Sequence, residues 1–124
     1  MGFNIVLVEP EIPMNTGNIG RLSLASGSAL HLVKPFGFEL DDKRLKRAGL
    51  DYWKHISVNI YENIEEFFFK NKDSNMVYFS SSATKNYTTI NFQDNMFFLF
   101  GKESVGLSKE ITVKNSDNLY KIPI

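Results

Sequence analysis

The feature that most limits the fold is a recurring pattern of short apolar runs, each too brief for a helix. Phe3–Val8, Ala29–Val33, Ser57–Tyr61, Met76–Ser80 and Met96–Phe100 are such runs, and Leu119–Ile124 ends the chain in the same style. Runs of this length, rich in β-branched or aromatic residues and bounded by turn formers, predict buried strands. Segments able to form helices lie between them. A helix is expected from Asn15 to about Ser26, with Asn15 and Thr16 at its entry and Gly27 as its stop. A short basic helix should follow Asp41 and Asp42, whose carboxylates suit a positive N-terminal end. Further helices are expected over Asn63–Asn71 and after Ser108. Strands alternating with helices indicate an α/β domain with a largely parallel sheet. Ligands on such sheets bind beyond the carboxyl ends of the strands, so the loops after Val8, Phe79 and Phe100 come under suspicion.

Composition narrows the function classes. A chain of 124 residues suits one domain, here residues 1–124. The absence of cysteine excludes a disulfide scaffold and any thiolate metal site. No apolar run approaches the length of a membrane span, and no secretion signal opens the chain, so a cytoplasmic protein is expected. Fourteen basic and fourteen acidic residues cancel, which argues against indiscriminate nucleic-acid binding through overall charge. A local concentration remains: Lys43, Arg44, Lys46, Arg47 and Lys54, with Lys34 upstream. Such a cluster either grips phosphates or forms the solvated face of a helix.

Several familiar chemistries do not fit. The loop after the first run reads EPEIPMNTGNIGR, without the GxGxxG spacing of a dinucleotide site. GKESVG is neither a phosphate loop nor a hydrolase elbow, since Lys102 stands where GxSxG needs glycine. His31 and His55 lack metal-ligand spacing, and His31 falls inside an expected strand as a hydrogen-bonded structural residue. Consecutive helix residues point about 100° apart, so Phe67, Phe68 and Phe69 cannot all enter one core. Asn18 and Arg21, three residues apart, share a helix face, with Asn15 near the helix entry. Amides, a guanidinium and a helix end together suit a phosphate or ribose, while simple capping by Asn15 and Thr16 is the plainer alternative.

The stretches NIVLVEPEIPMNTGNIGRL, GFELDDKRLKRAGLDYW and LFGKESVGL, in that order, closely resemble the tRNA (cytidine/uridine-34-2'-O)-methyltransferase family. This is the TrmL-type (YibK-like) branch of the SPOUT superfamily. The resemblance runs from the first strand to the last residue and implies a SPOUT fold with a C-terminal trefoil knot. It also implies a homodimer, S-adenosyl-L-methionine as cofactor, and methylation of the wobble ribose in the tRNA anticodon stem-loop. By correspondence, Phe79, Gly101 and Ile122 would contact the cofactor, with Glu103 in a supporting place. Arg21 would be catalytic, with Asn15 and Asn18 holding it or the RNA. Lys43, Arg44, Lys46 and Arg47 would grip the anticodon stem, and no metal is implied. Two departures stand out. Val105 occupies a position where the family often has arginine, and the chain stops at Ile124, before the family's Asn-Leu-Ser-Asn segment. A chain truncated before its knot-closing segment is therefore expected, with impaired cofactor binding and activity. Methylation of another tRNA or ribosomal RNA ribose, and a non-catalytic RNA-binding SPOUT module, are the alternatives. A flavodoxin-like module is disfavoured by the prolines after the first strand.

Overall fold

The apolar runs assemble side by side in one seven-stranded sheet. A computed structural model of the chain describes residues 2–11, 13–36 and 58–122. The elements, in order, are β1 (Asn4–Val8), α1 (Pro13–Ser26), β2 (Ala29–Val33), β3 (Val58–Tyr61), α2 (Ile64–Lys70) and β4 (Met76–Phe79). They continue with β5 (Lys85–Asn86), β6 (Phe97–Phe100), α3 (Lys109–Lys114) and β7 (Leu119–Lys121). The sheet order is β3-β2-β1-β6-β4-β7-β5, and every pairing is parallel. Strand β1, between β2 and β6, aligns Leu7 with Leu32 on one side and Phe100 on the other.

A parallel sheet is covered on both faces, which explains why its strands read as unbroken apolar runs. Val6, Val8, Val33, Tyr78, Phe97 and Leu99 face α2 and α3, which contribute Phe67 and Ile111. Leu7, Leu30 and Leu32 face the other way and meet Ile19 of α1. Val77 and Phe98 continue that second face with Ile90 and Met96. The chain alternates sides residue by residue, as the pleat requires.

α1 packs in an unusual way. Its inner positions Thr16, Gly20 and Ser23 are small and buried, which brings its axis close to the sheet. Ser23 satisfies its hydroxyl by donating to the Ile19 carbonyl at 2.9 Å. Asn15, Asn18 and Arg21 form an exposed polar stripe at three-residue spacing on the outside. The helix ends where Gly27 takes φ +72°, and the Ser28 N–H reaches back to the Ser23 carbonyl at 2.8 Å. That is the left-handed stop anticipated at Gly27.

Boundaries differ from the sequence expectation in explicable ways. α1 begins at Pro13 rather than Asn15, because proline is pre-set for a first helical turn. The strand expected to run from Leu119 to Ile124 ends at Lys121, so Ile122 follows it. The polar segment after Phe79, read as a loop, contains β5 and a short 3₁₀ turn at Tyr87–Thr89. β5 pairs along β7 through backbone groups, which needs no apolar signature. Asn63 and Ser108 cap α2 and α3, as their side chains accept from Glu66 and Ile111 backbone N–H groups. Lys43, Arg44, Lys46, Arg47 and Lys54, and the helix expected after Asp42, lie outside the described residues.

Candidate active site

With every strand parallel, the loops after β1, β6, β4 and β7 all emerge at one edge of the sheet. These strands are neighbours, apart from nothing but their hydrogen-bonded partners, so the loops stand in a row. Phe79 ends β4, Gly101 follows β6, and Ile122 follows β7. The three sequence-derived cofactor positions are thus gathered on adjacent strands. Phe79 is half-buried and stacks on Phe100 with ring centroids 4.8 Å apart and planes 11° from parallel. The Ser80 N–H donates to the Tyr120 carbonyl at 2.9 Å, tying the serine loop to β7. Ile122 is exposed.

Gly101 was expected to contact the cofactor. The structure supplies an internal reason for glycine: a Cβ there would collide with the Gly106 carbonyl and the Leu107 nitrogen. The loop folds back on itself through the Gly106 N–H donating to the Lys102 carbonyl at 2.8 Å.

Two hollows open at this edge. The smaller, about 280 Å³, lies between α1 and the ends of β1 and β6. Leu7, Ile19 and Phe100 give it apolar walls, and Asn15, Asn18 and Glu103 a polar rim. Thr16 also lines it, and its buried hydroxyl has no hydrogen-bond partner. The larger groove, about 820 Å³, runs from Ser80–Ser82 past Val105 and Leu107 to α3. Hydroxyl groups from several serines and Thr112 sit there beside apolar side chains. Among the described residues, no group of three or more His, Asp or Glu side chains is placed to hold a metal.

Set against known proteins, residues 2–124 match the SpoU rRNA Methylase family. The chain belongs to this family. A tRNA (cytidine(34)-2'-O)-methyltransferase of Saccharophagus degradans is 44% identical over 123 residues, covering 98% of this chain and 80% of that protein. A solved Bacillus anthracis structure superposes with a TM-score of 0.92 at 44% identity, over 98% of this chain and 79% of that one. A structure described as giving insight into 2-OH methylation of C/U34 on tRNA superposes at 0.91 with 35% identity, covering 99% and 80%.

In this SpoU family member the sequence reading gave Glu103 a supporting place but missed Glu9, Glu11 and the ties that join the loops. The Glu11 N–H donates to Glu103 Oε1 at 2.8 Å, and the Ser104 N–H donates to Glu11 Oε1 at 2.8 Å. Lys102 pairs with Glu9 at 3.1 Å, and Asn15 Nδ2 lies 3.5 Å from Glu103 Oε2. The Ser104 backbone and side chain, with Lys102 behind them, hold the Glu11 carboxyl below the usual carboxylate range. Glu9 itself takes φ +54°, a left-handed conformation uncommon outside glycine. Partners so far apart in the chain leave no local pattern to find.

Proposed function

We propose that the protein transfers a methyl group from S-adenosyl-L-methionine to the ribose 2'-oxygen of nucleotide 34, the wobble position of tRNA. The observation that carries this reading is the shared edge: the Asn15–Asn18–Arg21 stripe follows β1, and Phe79, Gly101 and Ile122 follow the adjacent β4, β6 and β7. The Saccharophagus relative and the C/U34 structure, both alike over nearly the whole chain, support the choice of substrate.

The residues fit the cofactor's chemistry. The hydroxyl-lined groove with its apolar patches offers partners for both the polar and the aromatic parts of a nucleoside. When bound, S-adenosyl-L-methionine supplies an electrophilic methyl group on a sulfonium. The chain's task is then alignment of the ribose oxygen and relief of its proton. A guanidinium is a poor base, so Arg21 stabilises charge developing on the 2'-oxygen instead. Asn15 and Asn18 orient Arg21 or the RNA backbone. Lys43, Arg44, Lys46 and Arg47 grip the anticodon stem-loop. A homodimer, the family's C-terminal trefoil knot and a cytoplasmic location complete the reading.

The test is methyl transfer from S-adenosyl-L-methionine labelled in its methyl group to tRNA and, separately, to ribosomal RNA. Label recovered as a 2'-O-methyl pyrimidine of tRNA is the expected result. Label in ribosomal RNA alone would favour the second reading, which the family's described activity keeps in view. Arg21→Ala should lower turnover by about 10²–10³-fold, as loss of an oxyanion donor does, with affinity for S-adenosylhomocysteine retained. Unchanged turnover would remove Arg21 from the mechanism.

A further inference from the structure

We propose that Glu11 is a positioning residue, which with Glu103 clamps the loop after β1 to the loop after β6 and so sets the α1 stripe against the cofactor edge. The inference rests on the methyl-transfer reading above.

Each carboxylate in this pair captures a main-chain N–H of the opposite loop. Glu103 takes the N–H of Glu11, and Glu11 takes that of Ser104, both at 2.8 Å. Side chains reaching backbone fix where a loop runs, whereas side chains reaching side chains fix only each other. The Glu9–Lys102 pair at 3.1 Å adds a third tie. Three ties at different points leave no hinge between the loops. The loop after β6 begins at Gly101, which its own return strand packs against. The loop after β1 leads within two residues of Glu11 into α1. Asn15, on that helix, reaches Glu103 Oε2. A shift of one loop therefore carries the other, and Asn15, Asn18 and Arg21 move with the rigid helix.

Electrostatics argue that these carboxylates are placed for geometry. Hydrogen bonds and ion pairs at exposed positions stabilise a fold only slightly. Three acidic residues beside a site for RNA also oppose the approach of phosphates. Glu9, Glu11 and Glu103 bear that disadvantage, and Lys102 pairs with Glu9 at 3.1 Å. Fixing the distance between the two halves of the site is what they achieve in return. The lowered Glu11 pKa keeps it an acceptor across the working range of pH.

The test compares Glu11→Ala and Glu11→Gln in the otherwise unaltered protein. Turnover is measured at saturating S-adenosyl-L-methionine and tRNA, and S-adenosylhomocysteine affinity by calorimetry. Glu11→Ala should reduce kcat by about tenfold or more, a part of what a 1 Å misplacement can cause. Its S-adenosylhomocysteine Kd should stay within about threefold of wild type, because the cofactor edge is otherwise intact. Glu11→Gln should restore kcat to within about threefold, since its amide oxygen still accepts the Ser104 N–H. The proposal is overturned if Glu11→Ala keeps its kcat, if Glu11→Gln fails as badly as alanine, or if kcat, cofactor affinity and melting temperature all collapse together. A wild-type protein inert on every RNA would strike the methyl-transfer reading instead. Amide exchange in α1 then decides the clamp: faster exchange near Asn15 in Glu11→Ala supports it, and no change overturns it.

Discussion

His31 shows how much one buried polar residue can demand of its neighbours. It lies in β2, 5% exposed, with Nε2 2.9 Å from Asn4 Oδ1 and Nδ1 2.9 Å from the Tyr61 hydroxyl. Asn4 turns its amide nitrogen to the Asn95 carbonyl, so its oxygen faces the ring and Nε2 must carry the proton. Tyr61 then donates to Nδ1 while accepting from Asn71 Nδ2 at 3.3 Å. Burial pushes the His31 pKa down from 6.5 to about 4. A second ring proton would also leave the Tyr61 hydroxyl without its acceptor. Between those two values the unfolded chain binds the proton and the folded chain does not. Stability from the neutral ring is therefore complete above pH about 6.5 and is lost as pH falls toward 4, on the order of 3 kcal/mol in all. In denaturant titrations, the stability gap between wild type and His31→Gln should narrow by about that amount from pH 7 to pH 4. A gap that stays constant with pH would show that His31 titrates normally. That a histidine in a strand-like run is hydrogen-bonded was legible in the sequence. Its partner Tyr61 was not, because sheet neighbours thirty residues apart are chosen by topology.

At the scale of the element, α2 tests how helical geometry sorts identical side chains. Phe67 is completely buried and meets Tyr61, Phe68 and Phe97 edge-on or tilted, while Phe69, two residues on, is 72% exposed. Phe67→Ala should cost about 3–5 kcal/mol in unfolding free energy, and Phe69→Ser less than about 1, the latter losing little beyond its contact with Lys72. Equal effects would mean that α2 is rotated from the position described. The angular argument read from the sequence holds here: one ring enters the core, Phe68 packs at its margin and one faces solvent. α1 was less legible. Its inner face is built from Thr16, Gly20 and Ser23 rather than large apolar residues, so periodicity alone carries little signal of which side faces the sheet. That Asn18 and Arg21 share its outer side did follow from three-residue spacing, whereas Asn15, read at the helix entry, lies inside its first turn.

For the molecule as a whole, the alternating runs announced an α/β domain with a parallel sheet, and the structure has one. The order β3-β2-β1-β6-β4-β7-β5 is not written in any run, since β1, β2, β4 and β6 are all apolar runs that could pair with one another in several ways. That order decides the site. Placing β6 beside β1 brings the loop holding Glu103 next to the loop holding Glu11 and next to α1. The candidate site residues came from motifs, but the ties between their loops depend on contacts some ninety residues apart in the chain. The edge so formed has a groove of about 820 Å³ reaching α3, and α1, with Asn15, Asn18 and Arg21, follows β1 beside it. The most direct measurement is nucleoside-resolved mass spectrometry of tRNA after incubation with the protein and S-adenosyl-L-methionine. The account predicts a single added methyl group on the ribose of the pyrimidine at position 34, absent with Arg21→Ala. A methyl group on a base, or on a ribose elsewhere in the tRNA, would contradict it.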